Sequence, residues 1–337
     1  METLHDTSKA KFLEPVVKLP AGVTGPLERE KRAIPRRRQL APPRQMTGKE
    51  HRWVNPNNGW LKVLERKADI LISRFLYPRL TSFWNPYSWL LERRFSLGEI
   101  SVSPNGWPKD LGPLRVLLIS DIHTGIFLVP DTLSKIIVSL MELEPDLVAV
   151  AGDVVTGHSS EVKPFLEALA PLSQAPLGAW FCYGNHDYFG GDPEEIRSAL
   201  RSAGITTLKN ETVVVKYAGG SFVLGGIDDR IFGRPDWEGL LSGHGSPHLL
   251  LAHNPDQFYE AAARGVPLTL SGHTHGGQIR LPTGPPIIRQ SKFCLDEGAY
   301  AFRSSLLVVS RGMGSVLLPW RWGADPEAVL IEIIPPK

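Results

Sequence analysis

At 337 residues, 42% hydrophobic and 21% charged, the chain is long enough for one large folded domain or two modest ones, and apolar enough to give it a core. Its net charge of +2 hides an asymmetry: residues 1–100 carry 19 Lys and Arg against 10 Asp and Glu, whereas residues 101–337 carry 18 against 25. Two cysteines, Cys182 and Cys294, exclude a disulfide framework and point to a reducing compartment, and no run approaches the ~18 apolar residues that a membrane-crossing helix needs.

Residues 1–50 are polar, basic and proline-containing without sustained periodicity, which predicts a disordered tail. Arg36, Arg37 and Arg38 precede a polar stretch, Gln39–His51, in place of an apolar h-region, so twin-arginine export is not expected. Residues 51–95 predict an amphipathic helical and aromatic extension. Leu61, Leu64, Ala68, Leu71 and Phe75 fall on one helical face, widened by Ile72 and Leu76, and Trp84, Tyr87, Trp89, Leu90 and Leu91 follow. This stripe either packs on the folded domain or lies on a membrane surface, where basic flanks and Trp or Tyr edges are at home.

From residue 96 a single folded domain is expected to run to 337. Arg115–Ser120, Leu147–Ala151 and Ala179–Tyr183 read as buried strands, with a helix face at Leu133, Ile136, Ile137 and Leu140 between the first two. Asp192, Pro193 and Gly204 bracket a further helix as N-cap, first-turn proline and terminal glycine. Val213–Lys216 and Phe222–Gly226 predict a hairpin about Gly219 and Gly220, and His248–Ala252, Leu268–Ser271, Leu306–Ser310 and Ala328–Ile334 are later strands. Alternating strands and helices followed by strands predict a layered α/β sandwich.

Donor-bearing turns follow these apolar runs. Asp121 and His123 stand two apart after the first, where extended side chains point the same way. Asp153 follows Gly152 after the second, and its two oxygens can serve two ions. Gly184-Asn185-His186-Asp187 follows the third; Asn185 offers a neutral oxygen, His186 can protonate a leaving group, and Asp187 can orient that imidazole. His253 ends a fourth run, and His273 and His275 stand between glycines after a fifth. All are oxygen or imidazole donors, and together they read as a site for two divalent ions with open positions. His158, His244 and His248 match no such position and are expected to be loop or surface residues; Arg311, Trp320 and Trp322 can line a site or simply pack.

In order and spacing, Asp121-Ile-His123, Gly152-Asp153, Gly184-Asn185-His186-Asp187, His253 and Gly272-His273-Thr274-His275 resemble the pattern of the calcineurin-like metallophosphoesterases. His253-Asn254-Pro255-Asp256, Gly276-Gly277-Gln278 and Ser310-Arg311-Gly312-Met313-Gly314 look like its YkuE/YaeI-like bacterial phosphoesterase subgroup, as does Gly226-Ile227-Asp228-Asp229. The resemblance spans about Arg115 to Glu332. It implies a four-layer α/β/β/α sandwich of two mixed sheets. It also implies one ion on Asp121, His123 and His275, a second on Asn185, His253 and His273, and Asp153 between them. A shared hydroxide would attack phosphorus, with His186 assisting, supported by Asp187.

The implied cofactors are two divalent metal ions, Mn2+ first, with Zn2+, Fe or Co2+ as alternatives. The implied activity is hydrolysis of a phosphodiester or pyrophosphate bond in a small-molecule substrate, with a lipid-linked nucleotide sugar such as UDP-2,3-diacylglucosamine as one candidate. The alternatives are a general phosphodiesterase or nuclease, and a metal-binding scaffold without activity, which the intact ligand set and His186 disfavour. Val154-Val155-Thr156-Gly157-His158 replaces the arginine-bearing stretch of the Ser/Thr protein phosphatases, so protein phosphatase activity is not expected. No specific nucleic acid partner is expected. The expected location is cytoplasmic, associated with the inner membrane face through residues 60–94.

Overall fold

The computed structural model describes residues 85–125, 127–189, 191–280 and 285–336, the backbone of Arg38–Gln39, and the exposed helical residues Lys67 and Leu71. The tail over 1–50, apart from Arg38–Gln39, and most of the amphipathic stripe over 60–77 lie outside the described residues.

Two sheets carry the fold. Six strands lie in the order β2 (Ser96–Val102), β13 (Glu327–Ile333), β3 (Leu114–Ile119), β4 (Leu147–Ala151), β5 (Ala179–Cys182) and β6 (Ile205–Leu208). The other sheet runs β1 (Arg38–Gln39), β11 (Gly298–Phe302), β12 (Ser305–Val309), β10 (Leu268–Ser271), β9 (Leu249–Leu251), β8 (Gly220–Gly226) and β7 (Glu211–Tyr217). Both are mixed: β3, β4, β5 and β6 pair in parallel, while β13 is antiparallel to β3 and parallel to β2.

Period-2 alternation assigns the layers. In β3, Val116 and Leu118 join Leu147, Ala149, Leu249, Leu251, Leu268 and Leu270 between the sheets. Leu117 and Ile119 face the opposite way, toward helices α1 (Pro86–Arg94) and α2 (Pro130–Met141). The second sheet turns Leu250 and Ala252 outward onto α5 (Trp237–His244) and α6 (Phe258–Ala263), which follow the short α3 (Leu166–Leu169) and α4 (Pro193–Ser202). Leu307 and Val309 meet Phe258 on the same outer side. The result is the helix–sheet–sheet–helix stack anticipated from the sequence.

Helix α1 belongs to this unit. Tyr87, Leu90 and Leu91 are buried in the helix-side core, and the Tyr87 hydroxyl donates to the Met313 carbonyl at 2.5 Å. Arg94 pairs with Asp325 at 2.7 Å. The last ten residues of the expected extension thus include a helix packed on the sandwich. Asn85 caps it through Ser88 N, and Pro86 occupies its first turn, where a missing N–H costs nothing. Leu91→Ala should destabilise the protein by about 2–5 kcal/mol through lost burial and a residual cavity, measurable by urea unfolding.

Candidate metal centre

Parallel strands send their carboxyl ends to one edge, and there the sequence-predicted donors meet. The turns after β3 and β4 run on side by side: Asp121 N donates to Gly152 O at 3.0 Å, His123 N to Asp153 O at 3.1 Å and Thr124 N to Val154 O at 2.8 Å. Across the sandwich, Gly272 N donates to His253 O at 3.0 Å, and His273 N reaches the Asp121 carboxylate at 3.0 Å. Glycine is required where these loops touch: a Cβ on Gly184 would overlap Asp153 Oδ1, and one on Gly272 would overlap Asp121 Oδ2.

All nine expected site residues come together, and each is at most 4% exposed. Ligand atoms of Asp121, His123 and His275 lie within 4.8 Å of one another, as do those of Asp153, His253 and His273. Asp153 touches both groups: its Oδ2 is 3.1 Å from His253 Nε2 and 3.8 Å from His123 Nε2. Nε2 of His275 is 3.4 Å from Asp121 Oδ1 and 3.1 Å from His123 Nε2. Asn185 Oδ1 is buried without a hydrogen-bond partner, an arrangement that costs roughly 1–3 kcal/mol unless something fills it. Facing imidazole nitrogens, two close carboxylates and an orphaned amide oxygen are what a pair of cations would satisfy, and the all-N/O donor set suits Mn2+, Fe, Zn2+ or Co2+.

Outer contacts fix the rings. His253 Nδ1–H donates to Ala151 O at 2.7 Å, leaving Nε2 free to ligate. His186 Nδ1–H donates to Thr156 O at 2.6 Å, so its Nε2 is the atom available for proton transfer. Burial holds the His123 and His275 rings well below the ordinary imidazole value, reinforced by His186 for the former and Arg321 for the latter. Burial also opposes ionising Asp153, but His253 and His186 outweigh it and hold that carboxyl well below its usual value. The backbone is strained here: Asp121, His123, Asp153, His273 and His275 all have φ between 49° and 73°. A non-glycine residue in that region costs roughly 1–2 kcal/mol.

One expected role changes. Asp187 does not hold the His186 ring, which Thr156 O occupies. Its carboxylate accepts from the backbone N–H of Asp153 (2.9 Å), Val154 (2.9 Å), Val155 (3.3 Å) and Gly184 (2.8 Å). It is a brace between the loops after β4 and β5. Burial, then Asp153, pushes this carboxyl above its ordinary value, while the Gly184 and Val155 amides pull the other way. Arg311 is structural, pairing with Glu327 at 2.7 Å and Glu297 at 3.6 Å.

Two buried charged residues near the site were given no role by the sequence. Arg321 is fully buried, and its Nη2 lies 2.8 Å from His275 Nδ1 while its other nitrogens donate to the carbonyls of Gly314, Arg311 and Ala324. Asp229 is buried near the second group, its Oδ2 accepting from Ile231 and Phe232 N–H and its Oδ1 without a partner. Asp229 lies in the Gly226-Ile227-Asp228-Asp229 stretch, which carried a resemblance but no role; for Arg321, a single charge between tryptophans signals nothing about burial.

Residues 114–277 match the profile of the calcineurin-like phosphoesterase family. A metallophosphoesterase of Bacillus subtilis, YkuE, is 33% identical over 235 residues, which cover 67% of this chain and 81% of that one. The chain belongs to the calcineurin-like phosphoesterases. The phosphodiesterase YaeI of Escherichia coli is 34% identical over 231 residues, 66% of this chain and 83% of its own. A transmembrane protein with a metallophosphoesterase domain from Danio rerio is 32% identical over 250 residues, 70% of this chain and 56% of its own. This member is therefore a metal-dependent phosphoester hydrolase with a dinuclear centre. Among its described residues no helix is long and apolar enough to cross a membrane.

Replacing Asp187 with Ala strands the backbone N–H groups it accepts from, and should cost at least about 3 kcal/mol in denaturant unfolding. Asp187→Asn, which keeps one acceptor oxygen, should lose less.

Proposed function

We propose that the chain hydrolyses a phosphodiester or pyrophosphate bond in a small amphiphilic substrate, with two divalent ions held by the residues assembled above. The observation that carries this is Asp153, whose carboxylate contacts both three-residue groups. Asp121, His123 and His275 would hold one ion, Asn185, His253 and His273 the other, and Asp153 would lie between. When bound, such ions polarise phosphoryl oxygens and lower the pKa of a water placed between them.

The chain's own groups supply the rest. His186 sits edge-on to His123 with ring centroids 4.8 Å apart, its Nε2 turned from Thr156 and able to give a proton to the departing oxygen. Asp187 keeps Asp153, Asn185 and His186 in register through the backbone. Near-complete burial of the donors lowers the local dielectric, which strengthens every charge interaction in the site.

An amphiphilic substrate, of which a lipid-linked nucleotide sugar is one form, is favoured by the rings beside His186. Phe189 lies 4.2 Å from it, centroid to centroid, and Phe232 meets Phe189 edge-on at 5.1 Å while 43% exposed. Peripheral contact with the inner membrane face through residues 60–94 belongs to the same reading. So does Mn2+ as the preferred ion.

Chelated protein should leave bis-p-nitrophenyl phosphate intact and regain cleavage with Mn2+; failure with Mn2+, Zn2+ and Co2+ alike overturns the proposal. His186→Ala should lower kcat by roughly 10²–10⁴-fold with metal content unchanged. Mass spectrometry of products from nucleotide-sugars and lipid phosphodiesters would identify the substrate.

Metal capture should also depend on pH. In the metal-free protein burial pushes Asp121 up to about 6, with His253 opposing and Asp153 reinforcing. Burial disfavours a charged His253, but Asp153, Asp121 and Asp229 overcome it and place this ring at about 10. Both protons must leave for an ion to bind, so affinity rises with pH. Calorimetric titration with Mn2+ should show a loss of at least about tenfold for each unit below the Asp121 value.

A further inference from the structure

Three short segments lie side by side just beyond His275. Gln278–Arg280 is central: Trp322 N donates to Gln278 O at 3.0 Å, Arg280 N to Trp322 O at 2.8 Å, and Ile287 N to Ile279 O at 3.1 Å. Bridges join Ile279 to Trp322 and Arg280 to Pro286. The Gln278 side chain clamps one flank, donating to Val316 O at 2.8 Å and accepting from Val316 N at 3.0 Å. The ribbon is therefore tied to the metal-centre loop and not a loose excursion.

Its pattern is inverted. Leu318, Trp320 and Trp322 alternate along the chain and are 50%, 47% and 54% exposed, whereas Arg321 between the tryptophans is fully buried. On the other flank Ile287 and Ile288 are 63% and 68% exposed. Of the ten large hydrophobic side chains exposed among the described residues, these two loops supply five. Within 285–288 and 315–323 the only charged residue is Arg321, which faces inward. Burying a guanidinium while exposing two indoles and three aliphatic side chains is costly in water, so this outer face is built to meet something apolar.

Helix α1 is fastened to the same loop by Tyr87 on Met313 and Arg94 on Asp325, and it carries exposed Trp89 with Arg93 stacked 4.9 Å over its ring. Aliphatic side chains, tryptophans and the Arg93 cation on α1 match an anionic lipid surface: hydrocarbon for Leu318, Ile287 and Ile288, the headgroup boundary for the indoles, and negative charge for Arg93.

We infer that loops 285–288 and 316–322 form a docking face for an anionic bilayer, which would place the metal centre at the lipid–water boundary. This inference rests on the surface itself and stands or falls apart from the catalytic reading.

Flotation of the full chain with vesicles of phosphatidylglycerol or phosphatidylcholine tests it. The protein should float with the anionic vesicles and much less with the zwitterionic ones. The double variant Trp320→Ser, Trp322→Ser should bind at least about tenfold more weakly. Ile287→Ser with Ile288→Ser, on the opposite flank, should weaken binding as well, and Arg93→Gln should do so for phosphatidylglycerol alone. Cleavage of a water-soluble diester and the unfolding midpoint should not change in any of them. Absence of flotation by the unmodified protein overturns the inference, as does flotation of both double variants to the same extent as the unmodified protein. So would a concentration-dependent dimer that the tryptophan substitutions dissolve, since a second copy would then be the occupant.

Discussion

The buried carboxylate of Asp187 is the contact on which the site's geometry depends. It accepts N–H groups from three successive residues after β4 and from Gly184 after β5, tying two neighbouring turns into one body. The first turn contributes Asp153; the second contributes Asn185 and His186, whose own N–H donates to Asp153 Oδ1 at 2.7 Å. One side chain thus sets the spacing between Asp153, Asn185 and His186, the shared ligand, amide ligand and proton donor of the proposed mechanism. Backbone N–H groups, unlike mobile side chains, cannot follow a carboxylate that moves away, which is why such a brace is stiff.

Around that brace the chain accepts local strain. The left-handed conformations of Asp121, His123, Asp153, His273 and His275 replace the extended geometry expected for the Asp121 and His123 turn, and they still bring these side chains together at one buried site. Sheet hydrogen bonding continues into the turns through Asp121, His123 and Thr124, so the strained residues are held between regular ladders. The sandwich, with its two apolar layers, supplies the stability that lets an edge of it remain polar, buried and incompletely satisfied.

Much of this was legible in the sequence. Continuous apolar runs marked β3, β4, β9 and β10 because those strands are covered on both faces, and Asp192-Pro193 marked the start of α4 through capping chemistry. The donors were legible because each follows such a run. Strands β2, β6 and β11 were not picked out: Ser96–Val102 holds a glycine and a glutamate, and Ile205–Leu208 is half threonine. Their assignment comes from partners, not from propensity. Tertiary context also decided Asp187, since an adjacent His and Asp suggested a pair while the nearest unmet donors were amides from another strand. Arg321 was invisible for the same reason, its carbonyl partners being spread from His275 to Ala324.

Strand β13 lies between β2 and β3, pairing with Ser96–Val102 on one side and Leu114–Ile119 on the other. Residues separated by more than two hundred positions must therefore meet before the six-stranded sheet is continuous. As the polypeptide leaves the ribosome, β3 has a neighbour in β4 but an open flank toward β2. That flank stays a template for unwanted pairing until residues 327–333 emerge. Glu327, which begins this strand, also takes the backbone N–H of Arg311. Closure of the sheet and setting of the loop beneath Asp121 are thus a single late event, and a nascent chain halted before it would hold its ligands in name only.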